Sequence, residues 1–315
     1  MVGLTLDLGV SIAGMKLKNP TILASGVLGT TARIMARVAR EGGAGAVTSK
    51  SAGLKPREGH KNPIVVDGLK HGWFLNAVGL SNPGIAEKVE ELKEYKKLCK
   101  TPLIASVFAG TPEEFGEAAE AIARANPDAV ELNESCPNVQ DEFGRMFCLN
   151  EHAAAKAVEF ARARVPKRIP VFVKLSPDVP AIEAVAKACV EAGADGIVAI
   201  NTVGPGMAID IDRAKPILAN KFGGLSGPAL KPIAVKCVYK IRAALPETTI
   251  IGTGGVFSGE DAIEMMMAGA NAVGIGTAAF YRDITVFRKV CGEMGVWMKK
   301  RGYKNVKQLV GKAHE

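Results

Sequence analysis

The stretch TIIGTGGVFSGEDAIEMMMAGANAVGIGT, residues 249–277, decides the fold because a strand, a helix and a second strand follow one another within it. The apolar runs at its two ends, 249–255 and 272–277, indicate buried strands. Between them, Ser258 is a helix N-cap and Gly269 lies near the helix end. Buried strands that are separated by a helix predict a parallel β-α-β unit.

The same alternation extends through most of the chain. Six further strands are predicted at 21–25, 45–50, 102–108, 129–133, 170–176 and 196–201. The predicted helices are 83–98, 113–125, 151–164, 181–192, 231–244 and 259–268. Eight such strands favour the α/β class and a closed (β/α)8 TIM barrel, with an open doubly wound sheet as the alternative.

Three segments exceed the minimal repeat of the barrel. Residues 4–19 alternate apolar and polar around Gly14, which predicts a short N-terminal β-hairpin that plugs the barrel bottom. Residues 51–82 and 202–230 are rich in Gly and Pro, and long βα loops of this kind serve the active site of a barrel. Since no linker divides the chain, we expect one domain over residues 1–315.

Composition limits the classes of function. No apolar run approaches the length of a membrane helix, and the N-terminus lacks a signal-peptide pattern, so we expect a soluble cytoplasmic protein without membrane contact. The net charge is +8, but basic and acidic residues are interspersed and aromatics make up only 5%, which disfavours nucleic-acid binding. The six Cys form no Cys-x-x-Cys pair, and the four His form no ligand pattern. We therefore expect neither a disulfide framework nor a metal site.

Polar residues follow the predicted strands at their carboxyl ends, where barrels build active sites. For the Ser and Thr alone, capping of the following helices is the better explanation. Two Lys and three Asn at one rim instead imply an anionic ligand that forms hydrogen bonds. The rim residues are Ser25-Gly26, Lys50-Ser51, Ser106, Asn133 to Asn138, Lys174 to Ser176, Asn201-Thr202, Gly254-Gly255 and Gly276-Thr277.

Two glycine motifs, GTGG (252–255) and GIGT (274–277), follow the last two strands. Barrels commonly bind phosphate there through backbone N–H groups. Neither motif matches the dinucleotide-binding G-x-G-x-x-G pattern or a Walker loop. Together with Lys50 and Lys174, they predict a phosphate-bearing cofactor such as FMN.

Cys136 comes just after the fourth strand, in the motif ELNESCPN (131–138). A reactive thiolate at this position could act as a nucleophile or as a general base. A Cys that lies in the loop by chance remains the alternative. Because no His near a rim position suggests a Cys–His pair, a base beside a flavin fits better than acyl transfer.

ELNESCPN, together with FVKLSP (172–177), AINT (199–202) and NAVGLSNPG (76–84), resembles the class 1 dihydroorotate dehydrogenases. The similarity continues through 214–239 and 250–280 and is greatest to the B branch. It implies oxidation of (S)-dihydroorotate to orotate in pyrimidine biosynthesis. It also implies a separate iron–sulfur flavoprotein subunit, with FAD and [2Fe–2S], that passes electrons to NAD. A homodimer or a heterotetramer is expected.

The resemblance also implies roles for individual residues. Cys136 matches the base that removes the proton from C5 of dihydroorotate, while a hydride leaves C6 for N5 of FMN. The residues that match substrate contacts are Lys50, Asn76, Ala77, Val78, Gly79, Leu80, Asn133, Asn201 and Thr202. Those that match FMN contacts are Ser25, Lys50, Ser51, Asn133, Lys174, Ile200, Gly227, Gly254, Gly255, Gly276 and Thr277.

Two positions depart from the family pattern. Glu134 replaces an apolar residue, and strand parity predicts a role outside the flavin pocket. Ser106 stands where many relatives have an Asn that contacts FMN.

The alternatives to a dihydroorotate dehydrogenase are an FMN-dependent dihydropyrimidine dehydrogenase, a flavin-free phosphate-binding barrel and a non-catalytic interaction protein. The intact SCPN (135–138) and GGLSGP (223–228) motifs favour dihydroorotate as the substrate.

Overall fold

The computed structural model describes residues 6–135 and 150–315. Eight parallel strands form a closed barrel in which each strand pairs with the next and the eighth with the first. The predicted TIM barrel is confirmed, and each strand lies within its predicted run. The strands are β1 Thr21–Leu23, β2 Ala46–Thr48, β3 Leu103–Val107, β4 Ala129–Asn133, β5 Val171–Leu175, β6 Gly196–Ala199, β7 Thr249–Thr253 and β8 Ala272–Ile275.

Helices surround the barrel in the described ranges. They are α1 Ala32–Arg37, α2 Ile85–Leu98, α3 Pro112–Ala123, α4 Glu151–Arg164, α5 Ile182–Glu191, α6 Lys231–Ala244, α7 Gly259–Met267, α8 Thr277–Tyr281 and α9 Val286–Lys300. The six predicted helices are confirmed to within two residues at each end. Ser258 and Asp261 form a capping box at the start of α7, as the N-cap signal indicated.

Helices α1, α8 and α9 were not predicted from the sequence, nor was the π-helix at Val38–Gly42. In α9, Gly292 and Gly295 lower the helix propensity. Several apolar residues of α9, including Val290 and Met294, are fully buried, whereas Val296 of the same helix is exposed. The helix is therefore stabilised by packing of its apolar face rather than by local propensity.

The strands β3, β4 and β5 are buried at every residue, and β7 is buried at its three central residues. Parallel strands have this pattern because side chains fill the barrel interior while helices cover its outside. Cys189 in α5 and Cys237 in α6 are also buried and belong to the main hydrophobic core.

The predicted N-terminal hairpin is present. Val10–Ile12 pairs antiparallel with Met15–Leu17, and the turn between them has positive φ at Ala13 and Gly14. The inward side chains, such as Ile12 and Leu17, belong to the main hydrophobic core. Because the hairpin directly precedes β1, it lies at the amino end of that strand, opposite the carboxyl ends that carry the predicted rim residues.

The two long loops that were predicted to serve the site form one antiparallel sheet. Its strand order is Val203–Gly206, Gly223–Ser226, Trp73–Asn76 and Val65–Gly68, and we call it the rim sheet. It has its own small core, formed by Val66, Leu75, Ala77 and Leu218. A two-residue ribbon, Ile209–Asp210 with Lys215–Pro216, extends from it.

Two further observations concern only the described ranges. None of their helices combines the length and the apolar character needed to span a bilayer. Nor do these ranges bring together three or more His, Cys, Asp or Glu side chains in an arrangement suited to a metal ion.

Candidate active site

Serine hydroxyls from three neighbouring strand ends meet inside the carboxyl end of the barrel. Ser51 Oγ lies 3.1 Å from Ser25 Oγ and 2.8 Å from Ser106 Oγ. Ser106 Oγ donates to Glu131 Oε1 at 2.7 Å. Ser106 and Glu131 are both buried, so the hydroxyl at position 106 serves this internal network.

Glu131 was not among the sequence-predicted site residues. The signal that could have identified it is its place in β4, a charged residue within an otherwise apolar run and two positions before Asn133. Alternate residues of a strand face the same side, so Glu131 and Asn133 both point into the barrel.

Two asparagines continue the network toward the rim. Asn133 Nδ2 donates to Ser51 Oγ at 3.1 Å, and Asn133 Oδ1 accepts from Asn201 Nδ2 at 3.3 Å. Asn201 Oδ1 in turn accepts from the backbone N–H of Thr202 at 2.9 Å. The structure therefore places Asn133, Asn201, Thr202 and Ser51 together, with amide donors and acceptors side by side.

The segment 76–80 is held by a neighbouring part of its own loop. The backbone N–H of His60 donates to Val78 O at 3.1 Å, and Arg57 Nε donates to Gly79 O at 2.7 Å. Gly79 has a φ of +74°, and a Cβ there would lie 2.7 Å from the His60 nitrogen. Both the φ and the close approach require glycine at this position.

Asn76 joins this segment to the second long loop. Its Nδ2 donates to Gly224 O at 3.4 Å within the rim sheet. A Cβ on Gly224 would come within 2.2 Å of Thr202 Oγ1, so the Thr202 side chain packs directly against the Gly224 backbone. The rim sheet therefore connects the predicted substrate segment to Asn201 and Thr202.

Two lysines lie at the same end of the barrel. Lys50 follows β2, and its backbone N–H donates to Gly29 O at 2.8 Å. Lys174 in β5 is 5% exposed and lines a small internal cavity together with Ser25, Glu131 and Thr253. A buried cation next to hydroxyls and a carboxylate provides a positive charge beneath the rim.

The glycine loop after β7 has free hydrogen-bond donors. Gly254 and Gly255 have φ of +125° and +75°, and within the described ranges their N–H groups bond to no protein acceptor. A Cβ on Gly255 would lie 2.5 Å from Lys231 Cβ. The buried hydroxyl of Thr253 likewise has no hydrogen-bond partner in the part of the chain that the structure describes. Unused donors in such a loop suit a phosphate-type ligand.

The other predicted cofactor residues lie around this loop. A Cβ on Gly254 would be 3.5 Å from Ile200 Cγ1, and Ile200 N donates to Thr253 O at 2.8 Å. After Gly276, Thr277 Oγ1 donates to Ser226 Oγ at 2.8 Å, directly before Gly227 in the chain. The rim sheet thus reaches the glycine loops as well as the asparagines, and the donor set fits a phosphate-bearing flavin.

Cys136 lies outside the described residues, and its role stays a prediction. Ser135, which directly precedes it, is fully buried. Its Oγ donates to Asn133 Oδ1 at 3.3 Å and accepts from Asn201 Nδ2 at 3.0 Å. Ser135, the residue before the predicted base, therefore belongs to the asparagine network.

Glu134 is 2% exposed, and neither of its carboxylate oxygens has a hydrogen-bond partner among the residues that the structure describes. Burial raises the pKa of Glu134 well above its ordinary value, because desolvation disfavours the charged form. Its predicted role outside the flavin pocket stays a prediction.

A family model described as dihydroorotate dehydrogenase matches residues 7–298 of this chain. The chain belongs to the dihydroorotate dehydrogenase family. This confirms the family predicted from the motifs, and dihydroorotate dehydrogenases are in general flavin-dependent.

Curated relatives match the chain over almost its whole length. A protein of Methanosarcina mazei is 48% identical, over 97% of this chain and 95% of its own length. One of Methanocaldococcus jannaschii is 46% identical, over 98% of both. Each is named dihydroorotate dehydrogenase B (NAD(+)), catalytic subunit.

A crystal structure of DHODH from Eimeria tenella in complex with ferulenol superposes on this chain with a TM-score of 0.84. The alignment covers 98% of this chain and 89% of that one, at 23% sequence identity. This likeness supports the barrel fold alone.

Proposed function

We propose that this chain is the FMN-dependent catalytic subunit of a dihydroorotate dehydrogenase, which oxidises (S)-dihydroorotate to orotate in pyrimidine biosynthesis. The observation that carries the proposal is the joined network of Ser51, Asn133 and Asn201 at the barrel rim. It occurs in a chain that is 48% identical to a relative with this activity in its name.

The rim residues have the chemistry that dihydroorotate requires. The substrate carries a carboxylate and a ring with alternating N–H and C=O groups. The side chains of Asn76, Asn133 and Asn201 can donate and accept around such a ring, and Lys50 can pair with the carboxylate. Cys136, as a general base, removes the proton from C5, since an ordinary thiol pKa of about 8.5 can be adjusted toward the working pH.

The cofactor would be held by the glycine loops and the internal network. The N–H groups of Gly254 and Gly255, which have no acceptor among the described residues, suit the phosphate, with Gly276 and Thr277 beside them. When bound, FMN accepts the hydride from C6 of the substrate. Lys174, buried beneath the rim, can stabilise negative charge on the reduced ring.

The names of the relatives describe a catalytic subunit, which implies a partner subunit. We propose that the partner is an iron–sulfur flavoprotein, with FAD and a [2Fe–2S] cluster, that transfers electrons from this chain to NAD. The arrangement would be a homodimer of this chain or a heterotetramer with the partner.

The test is anaerobic mixing of the purified FMN-loaded chain with dihydroorotate while the flavin absorbance near 450 nm is recorded. We expect rapid bleaching with dihydroorotate and none with dihydrouracil, and one FMN released per chain on denaturation. Bleaching by dihydrouracil alone would move the protein to the dihydropyrimidine dehydrogenases. Absence of bound FMN after reconstitution would refute the proposal.

A further inference from the structure

Glu131 is a buried carboxylate at the candidate site, and none of the roles described above belongs to it. It lies on β4, 2% exposed, and faces Ser106 across the β3–β4 pair. It lines the internal cavity together with Lys174. A cation in the same cavity offsets part of the cost of burying an anion.

The contacts of Glu131 determine the direction of the hydroxyl chain, because a serine hydroxyl has only one proton to donate. Ser106 uses its hydroxyl hydrogen to donate a hydrogen bond to Glu131, so at the 2.8 Å contact Ser51 must donate to Ser106. Ser51 then has no proton left, and it accepts from both Ser25 and Asn133 Nδ2 at 3.1 Å. Each hydrogen bond in this series of hydroxyls is therefore donated in the direction from the rim toward Glu131.

This direction has consequences at the rim. Asn133 must turn its Nδ2 inward to Ser51, which leaves Oδ1 to accept from Asn201 and Ser135. Ser25 uses its hydroxyl hydrogen to donate to Ser51, so it presents only lone pairs to a ligand. Without an anionic acceptor at position 131, the serine hydroxyls could donate their hydrogen bonds in the opposite direction, from the interior toward the rim.

We propose that Glu131 is a positioning residue of the flavin site. Its carboxylate fixes the proton order of Ser106, Ser51 and Ser25, and through it the amide orientation of Asn133. The inference rests on the proposed function, because Ser25, Ser51 and Asn133 are taken there as FMN contacts.

The experiment measures the dissociation constant of FMN for the apoprotein by fluorescence. Glu131→Gln removes the anion at nearly constant size, whereas Ser106→Ala breaks the chain and keeps the anion. We expect each to raise the Kd by about tenfold, the order expected for a lost hydrogen bond to a charged group. The double variant should bind no more weakly than the weaker single variant, since both changes act through one chain. Glu117→Gln, on the exposed face of α3, is the matched control and should leave the Kd unchanged.

The reduction potential of the bound flavin provides a second readout that a purely structural role would not change. Glu131→Gln should raise it, because a buried negative charge opposes the addition of electrons nearby, and Ser106→Ala should leave it near the wild-type value. The inference would be overturned if the increases in Kd of the two single variants added in the double variant. It would also be overturned if the Kd of Glu131→Gln lay within about twofold of wild type, or if its flavin reduction potential were unchanged. Failure of the wild-type chain to bind FMN would instead refute the proposed function.

Discussion

At the scale of single residues, Glu134 has an environment that makes folding depend on pH. Below the ordinary Glu pKa of about 4.3, the carboxyl is neutral in both the folded and the unfolded chain. At higher pH the unfolded chain ionises while the folded protein keeps the proton, because burial raises the folded-state pKa. The free energy of unfolding therefore falls with rising pH, by at most about 1.4 kcal/mol per unit, until the folded-state pKa is passed.

Glu134→Gln removes this titration, and we expect the free energy of unfolding of the variant to fall less steeply from pH 5 upward than that of the wild type. Urea denaturation of both proteins at several pH values measures the difference. Glu117→Gln, which changes an exposed carboxylate, is the control and should follow the wild-type curve. Parallel curves for wild type and Glu134→Gln would mean that Glu134 is charged in the folded protein.

Cys136 is the residue whose loss should affect the chemistry most directly. Cys136→Ala should slow flavin reduction by dihydroorotate by about 10²–10⁴-fold, the usual contribution of a general base, while FMN stays bound. Anaerobic stopped-flow absorbance measures the rate. Cys291→Ala is the control, since that thiol contacts Thr21 at the amino end of β1, away from the rim. An undiminished rate in Cys136→Ala would show that the thiol takes no part in the reaction.

At the scale of elements, the segment 76–80 depends on a glycine that fits tightly against its neighbour. Gly79→Ala adds a Cβ that would lie 2.7 Å from the His60 nitrogen, so the segment must move. We expect kcat/KM for dihydroorotate to fall by about 10²-fold, the effect of a displacement near 1 Å, with FMN binding retained.

Gly14→Ala is the matched control for Gly79→Ala. Gly14 has a similar φ of +85°, but a Cβ there would meet nothing within 4 Å. Both variants carry the backbone strain of a left-handed residue, and only Gly79→Ala adds a clash at the rim. Equal loss of kcat/KM in the two variants would mean that strain, rather than displacement of the substrate segment, is responsible.

At the scale of the whole molecule, the open question of function is where the electrons go. The described ranges hold no cluster of Cys that could ligate an iron–sulfur centre, and the sequence has no dinucleotide-binding glycine motif. We expect the isolated chain to transfer electrons readily to artificial acceptors and poorly to NAD. Steady-state turnover of the purified chain with each acceptor is the measurement.

Two results would change the proposed partner. Rapid reduction of NAD by the chain alone would remove the need for a second subunit in electron transfer. Rapid reduction of fumarate would instead place the chain in the A branch of class 1.

The expectation that residues 1–315 form one domain stays a prediction, and a single cooperative unfolding transition would support it.

The sequence by itself determined the barrel, its six main helices and the family. Buried parallel strands are continuous apolar runs, and the Ser258 cap and the turn at Gly14 are local signals, so these elements depend on residues close together in the chain. The motif around Cys136, together with the other family motifs of the sequence, indicated the dihydroorotate dehydrogenase family, which the family model confirms.

Only the tertiary structure decided how the rim is built. The rim sheet pairs Asn76 with Gly224, which are 148 residues apart, and no local pattern encodes such a partner. Helix α9 exists because packing outweighs its two glycines. Glu131 and Glu134 are three residues apart in the chain, yet Glu131 accepts a hydrogen bond from a serine hydroxyl and Glu134 has no partner within the described residues. Burial and partners decide what a carboxylate does, and both arise only when distant strands come together.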